Sequence, residues 1–158
     1  MKWQTIFLID ESKTILLKHI NNSPGVRYRE FQRATGFANG VLVYHLKILE
    51  ESRWMKVIRY RIRKSTRYYP LNTTAKESRL MEYVRRTTTR KILLLLLKHD
   101  QCTSNDIMQH TKKVRLTISW HLSWLRKARI ISVRSGVHQT YILRNKDLVA
   151  ILINKIKN

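Results

Sequence analysis

Ala38-Asn39-Gly40-Val41-Leu42-Val43-Tyr44-His45-Leu46-Lys47-Ile48-Leu49 returns 76 residues later as Val114 to Leu125, and this imperfect repeat decides the fold. At that offset Leu42 meets Ile118, Tyr44 meets Trp120, His45 meets His121, Leu46 meets Leu122 and Leu49 meets Leu125. Leu42, His45, Leu46 and Leu49 stand at i, i+3, i+4 and i+7, as do their counterparts, so each set forms one inward stripe of an amphipathic helix. The other face carries Asn39, Val41, Val43, Tyr44 and Lys47 in the first copy, and Arg115, Thr117, Ser119, Trp120 and Ser123 in the second. None is acidic. Small, hydrogen-bonding, aromatic and basic side chains on an exposed helix face suit a DNA major groove.

Around the first copy the chain reads as a helix through Asn21, capped at Asp10 or Ser12, with Ile15, Leu16 and Ile20 inward. Residues 1–9 are apolar enough to pack but too short to classify. A second helix, about Tyr28 to Thr35, should carry Phe31 and Ala34 inward, and Gly36 should supply a positive-φ turn into the repeated helix. Helix, short turn, helix is the arrangement in which the second helix enters the groove. Past Glu51 the period changes to two: Met55, Val57, Arg59, Arg61 and Arg63 alternate with Lys56, Ile58, Tyr60, Ile62 and Lys64, a turn is expected at Lys64-Ser65, and Thr66 to Pro70 return. This basic hairpin reads as a wing, with Arg59, Arg61, Arg63, Lys64 and Arg67 on phosphates or in the minor groove. Its bland alternative is a solvated edge strand guarded by cations.

The second half repeats the plan. Ile92 to His99 forms its first helix, Thr103 or Ser104 caps its second, Arg115 to Arg129 is its groove helix, and Ile131–Arg134 with Val137–Leu143 make a shorter wing turning at Ser135-Gly136, with Arg134 and His138 near the tip. Thr74-Ala75-Lys76-Glu77 is a capping box that opens a joining helix, and without a Gly, Pro or Ser-rich linker the halves should keep a fixed relation. Asn145 should cap a last helix whose Leu148, Val149, Ile151, Leu152, Ile153 and Ile156 pack within the chain or against a second copy. The expected organisation is a first winged-helix domain at 1–72, a linker helix at 73–89, a second domain at 90–144 and a C-terminal helix at 145–158. The fold class is mainly α with small β-hairpin wings.

Thirty-two Lys and Arg against ten Asp and Glu leave a formal charge of +22 on 158 residues. Such an excess calls for a polyanionic partner, and nucleic acid comes before an anionic membrane because each neutralised phosphate releases a counterion. Arg27, Arg29, Lys112 and Lys113 join the wing cations as candidates for phosphate contact. The longest apolar run, Ile92 to Leu97, is too short to span a bilayer, and Met1 to Ile9 lacks a signal-peptide cleavage site. With one cysteine, Cys102, and no Cys/His cluster, a reducing intracellular setting without a disulfide, metal or cofactor is expected. His45 and His121 read as core histidines, and Cys102 as an inert thiol before a redox switch. Tyr44 and Trp120 serve equally well stacked on nucleotides or packed on their own wings. No Gly-rich phosphate loop, nucleophile elbow or metal triad supports catalysis.

Ser23-Pro24-Gly25-Val26-Arg27-Tyr28-Arg29-Glu30-Phe31, Tyr44-His45-Leu46-Lys47-Ile48-Leu49-Glu50 and Arg67-Tyr68-Tyr69-Pro70 resemble the archaeal predicted transcriptional regulators with two winged helix-turn-helix domains. Ser119-Trp120-His121-Leu122 and Gly136 to Leu143 are similar to that family's second domain and to ArsR- and MarR-like winged helices. The resemblance implies double-stranded DNA binding and transcriptional control from the two outer helix faces, in a cytoplasmic, nucleoid-associated protein. The chain departs from the family in having Ala38 and Val114 where a capping Ser is usual, so that the cap is lost or moves to Asn39, and in having Lys112-Lys113 in place of a turn Gly. The rival readings are a chromatin-like architectural DNA binder and a winged-helix protein-interaction module. RNA fits less well, since RNP-type aromatic strands and Gly-rich clamp loops are missing.

Overall fold

A computed structural model describes residues 2–61 and 64–156, with the backbone alone for residues 2–10. The elements run α1 (Lys2–Asn22), α2 (Tyr28–Thr35), α3 (Asn39–Glu51), β1 (Met55–Tyr60), β2 (Ser65–Pro70), α4 (Ala75–Val84), α5 (Thr87–Lys98), β3 (Cys102–Thr103), α6 (Ser104–Thr111), α7 (Arg115–Lys127), β4 (Ile131–Arg134), β5 (Thr140–Leu143) and α8 (Lys146–Lys155). This is a helical chain with two small antiparallel hairpins. It divides into two units inside α4, one holding the chain through Ser78 and again from Lys155, the other Arg79–Asn154.

In the first unit Leu16, Ile20, Val26, Phe31, Leu42, Leu46, Leu49 and Met55 form the buried core, with Leu17, Tyr28, Phe37, Val57 and Tyr68 packed against it. Burying one Leu or Ile stabilises by about 1.5–3 kcal/mol relative to exposure, so this stripe is what holds α3 at a defined angle to α1 and α2. The second unit buries Ile92, Leu96, Ile107, Ile118, Leu122, Leu125 and Ile131. Each of these is 76 residues beyond Leu16, Ile20, Phe31, Leu42, Leu46, Leu49 and Met55, so the repeat extends through the whole helical core. Even small polar details recur: the Thr35 hydroxyl donates to the Phe31 carbonyl at 2.8 Å, and Thr111 to Ile107 at 2.7 Å.

Four expectations need correction. Asp10 and Ser12 lie inside α1, which begins at Lys2, because the apolar opening continues the helix instead of preceding it. Ala34 faces solvent, since the stripe of so short a helix is satisfied by Phe31 alone. The first hairpin pairs Tyr60 with Ser65, so the strand stops before Arg61 and Ser65 belongs to the returning strand and not to the turn, while Ile62 and Arg63 lie outside the described residues. The second returns only at Thr140, paired with Arg134, leaving Ser135 to Gln139 as a wider tip.

Each hairpin is stitched to its helices differently. In the first unit Gly25 N–H donates to the Tyr68 carbonyl at 2.8 Å and Tyr68 N–H to the Val26 carbonyl at 3.0 Å, while the Phe31 and Tyr68 rings meet edge to face at 5.3 Å. In the second, β3 joins as a third strand in the order β3-β5-β4, with Cys102 opposite Tyr141. On α8, Val149, Leu152 and Ile153 are buried, as is Ile156 just beyond it. Ile151 is the apolar residue of this segment left exposed.

Candidate nucleic-acid interface

Two helix-turn-helix units place α3 and α7 as second helices. The α2–α3 turn is made by Gly36 at φ 67°, and the α6–α7 turn by Lys112 at φ 54°, a left-handed conformation that costs an L-residue about 1 kcal/mol and glycine almost nothing. Neither second helix has a side-chain cap: Ala38 and Val114 occupy the N-cap positions. Asn39 does not take over that role. Its side-chain oxygen and its backbone carbonyl both accept from the Tyr28 hydroxyl, which ties the start of α3 to α2. The first N–H groups of α3 and α7 are therefore left for solvent or an anion.

Opposite the buried stripe, Asn39, Val41, Val43, Tyr44 and Lys47 of α3 are all exposed. Arg115, Ser119, Trp120 and Ser123 of α7 are exposed and Thr117 half-buried. The α7 face also shows Leu116, 82% exposed, which the inward period skips, and before it the exposed Val114, which the sequence marks only as a cap position. Tyr44 stands edge-on to His45 at 5.3 Å, and Trp120 to His121 at 4.9 Å and beside Trp124 at 4.8 Å. Both rings keep about half their surface open.

The acids at the end of α3 are answered by cations. Glu50 takes both Arg59 guanidinium nitrogens, at 2.7 and 2.8 Å, and Glu51 lies 3.8 Å from Lys47. The fork on Arg59 holds the Glu50 carboxyl below the usual carboxylate range, and the same bond raises Arg59. Arg59 thus braces the hairpin against α3, a role its strand position alone does not reveal.

Arg67, expected on the phosphates, is 3% exposed and its Nη1 donates to the Gly25 carbonyl at 2.8 Å. It is a structural residue at the root of the hairpin. Arg61 and Lys64 remain exposed at the hairpin turn, Lys64 at φ 44°, whereas Arg63 lies outside the described residues. Arg27, Arg29, Lys112, Lys113, Arg134 and His138 are exposed as the charge pattern suggests. Arg27 opens α2, where its N–H donates to Glu30 at 2.7 Å; Thr103 opens α6 the same way on Asp106, at 2.8 Å.

The two stripe histidines differ. Thr89 Oγ1 lies 3.2 Å from His121 Nδ1, whereas His45 Nδ1 is buried with no hydrogen-bond partner among the described residues. Burial lowers both imidazoles, and the Lys13 charge lowers His45 further. Cys102 is buried in β3, and burial with the Asp106 charge pushes its thiol up, opposite to what a reactive thiolate needs. Among the described residues no helix is long and apolar enough to cross a membrane.

Comparison with known proteins places two domain models on the chain. Residues 87–133 match the bacterial regulatory protein arsR family, and residues 10–81 match an N-terminal HTH domain. Similar solved structures include HlyU from Vibrio cholerae, 22% identical, covering 49% of this chain and 85% of that one at a TM-score of 0.45. The transcriptional repressor BigR from Xylella fastidiosa is 16% identical over 48% of this chain and 76% of its own, at 0.44. The cadmium metal-sensor CMTR from Mycobacterium tuberculosis is 28% identical over 48% and 78%, at 0.41. No curated protein matches. The chain carries two helix-turn-helix domains, each followed by a β-hairpin wing.

Proposed function

We infer that this tandem winged helix-turn-helix chain is a double-stranded DNA-binding transcriptional regulator that presents α3 and α7 to major grooves and its hairpin tips to phosphates. The observation that carries the reading is the outer face of each second helix: exposed, free of acids, uncapped at its N-terminus, and set in a protein of charge +22. Base contacts would come from Asn39, Tyr44 and Lys47 and from Arg115, Thr117, Ser119, Trp120 and Ser123. Val41 and Val43 would meet thymine methyls. Phosphate contacts fall to Arg27, Arg29, Arg61, Lys64, Lys112, Lys113, Arg134 and His138, with the first N–H groups of α3 and α7 suited to two more.

The reading assigns the first domain to 1–72 and the second to 90–144, with the segments at 73–89 and 145–158 serving them. No catalytic step and no cofactor enter it, and the working place is the cytoplasm, on the nucleoid. A homodimer through the C-terminal helix would have to use Ile151 and the half-buried Leu148, because Val149, Leu152, Ile153 and Ile156 are spent inside the chain. That is little apolar surface for a stable contact, so the reading does not rest on a dimer through this helix.

A second reading, an architectural DNA binder without base preference, is favoured by one feature. Leu116, Val114, Val41 and Val43 project apolar groups where hydrogen-bond donors would read bases. Selection of bound duplexes from a random pool at physiological salt separates the readings. One enriched motif establishes the regulator, binding without enrichment establishes the architectural protein, and no duplex binding overturns both in favour of an interaction module.

A further inference from the structure

Leu116 is the second residue of α7 and is 82% exposed; Val114, at the N-cap, is 70% exposed. The helix-turn-helix core does not require a side chain at the Leu116 position. Gly40 stands there in α3, at the same offset, and a Cβ added to Gly40 meets no atom within 4 Å. The position therefore faces outward in the first copy too, and that copy folds with nothing on it.

A single exposed Leu is ordinary, but this one has an aromatic neighbour. Trp120 lies four residues on, one turn along the same face, and helical side chains lean back toward the N-terminus, so its ring leans toward Leu116. That ring is held in place, 4.8 Å from the Trp124 ring and 4.9 Å from His121, with about half its surface open. The surroundings are cationic. Lys112, Lys113 and Arg115 are exposed around the start of the helix, and no ion pair of the described residues takes them up.

An apolar patch within a rim of cations suits a polyanion that carries an apolar group close to its charged backbone. The major groove of a duplex offers one such group, the 5-methyl of a pyrimidine, carried by thymine and in the same place by 5-methylcytosine. A reader of guanine or adenine would place Arg, Lys, Asn or Gln at this position instead. The first residues of a second helix are also those that meet base edges.

We propose that Leu116, backed by Trp120, is a specificity-determining residue that reads the 5-methyl group of pyrimidines in the major groove. The proposal rests on the DNA-binding reading above and adds the group that the start of α7 recognises.

The test takes the duplexes that the full chain retains most strongly from a random pool and remakes them with uracil for thymine and, separately, with 5-methylcytosine for cytosine. These exchanges remove or add a methyl and leave the charges and hydrogen-bonding groups of the groove unchanged. Each methyl covered should be worth about fourfold in affinity. Leu116→Ala should weaken the methylated form by that factor, leave the unmethylated form unchanged and keep the salt slope, since no phosphate contact is lost. Leu116→Met should keep the discrimination, and both variants should melt with the wild type because the side chain is exposed. The coupling between methyl and side chain, read from the four affinities of wild type and Leu116→Ala on each pair of duplexes, is separate from anything Val41 and Val43 add. Coupling in the thymine pair assigns the group to thymine, and coupling in the cytosine pair assigns it to methylated cytosine. Coupling in neither overturns the proposal and leaves duplex binding standing. Equal weakening of both forms by Leu116→Ala would make the side chain a wedge or a sugar contact and overturn it as well. If no duplex is retained at all, the DNA reading falls and takes the proposal with it.

Discussion

The two winged helices share a core position for position, yet they solve three local problems in opposite ways. The first turns on Gly36, the second on Lys112. The first braces its hairpin with Arg59 on Glu50; at the same offset the second has Ser135 and Arg126, which form no such pair. Among the described residues the first gives His45 Nδ1 no hydrogen-bond partner, with the Lys13 charge acting on it, where the second supplies the Thr89 hydroxyl. Among the described residues the second domain is the better satisfied in its interior. The first ties its hairpin to α3 through Arg59 and Glu50. Apolar identity at seven paired core positions is enough to reproduce the fold, and the polar periphery is free to diverge.

The largest expected effect breaks the first domain at the root of its hairpin. Arg67→Ala removes a buried guanidinium and its bond to the Gly25 carbonyl, and should destabilise by about 2–4 kcal/mol in urea melts, because the carbonyl loses its donor and a void remains. Arg61→Glu with Lys64→Glu, at the exposed turn of the same hairpin, should leave the melt within about 0.5 kcal/mol. That pair should instead flatten the slope of log affinity for duplex against log salt by about two contacts' worth, roughly 0.9 each. Equal melts for Arg67→Ala and the wild type would refute the structural assignment of Arg67.

The turns should respond with opposite signs. Gly36→Ala places a Cβ at φ 67° with no atom in its way, so its cost of about 1 kcal/mol is backbone strain alone. Lys112→Gly should stabilise by about 0.5–1 kcal/mol through relief of the same strain, while weakening duplex binding by one cation. Thermal melts that move in the same direction would deny the equivalence of the two turns.

Glu50→Gln should free Arg59 and remove an anion beside the outer face of α3. Duplex binding should tighten, with a salt slope steeper by about one contact. Its second-domain counterpart is already Arg126, so neutralising that residue should do the reverse.

The smallest effect is a pH dependence. Both imidazoles have folded pKa values below 6.5, so below about 6.5 the unfolded chain takes up protons that the folded chain does not. Stability should therefore be full above that pH and fall as pH drops through the window between the unfolded and folded values. Lys13→Thr, which gives His45 the surroundings of His121, removes a repelling charge and should make the acid-side fall in melting temperature shallower. Thr89→Lys should make it steeper. Unchanged pH profiles in both would mean that the histidines are not the groups titrating.

Much of this was legible beforehand because period is a property of sequence. The spacing of Leu42, His45, Leu46 and Leu49 fixed which face of α3 goes inward, and Gly36 fixed where α2 must stop. Polar side chains were harder, since the same arginine type serves three ends. Arg61 stays in solvent, Arg59 pairs with a carboxylate nine residues back in the chain, and Arg67 is buried. Nothing in their alternation on a strand tells them apart. The start of α1 was misread for a related reason: Asp10 and Ser12 are capping types, but a cap forms only where the helix ends, and an apolar segment before it lets the helix run on to Lys2.

By itself, then, the sequence determined two copies of one helical core, their outward faces and a charge of +22, because burial of apolar stripes follows from periodicity alone. Tertiary structure decided the rest. It set a Gly25 carbonyl beside Arg67, turned Glu50 onto Arg59 and brought Tyr83 and Arg86 against Trp124. Hydrogen bonds, ion pairs and cavities depend on which distant backbone segments arrive at ångström separations, and that is fixed only once the cores have packed.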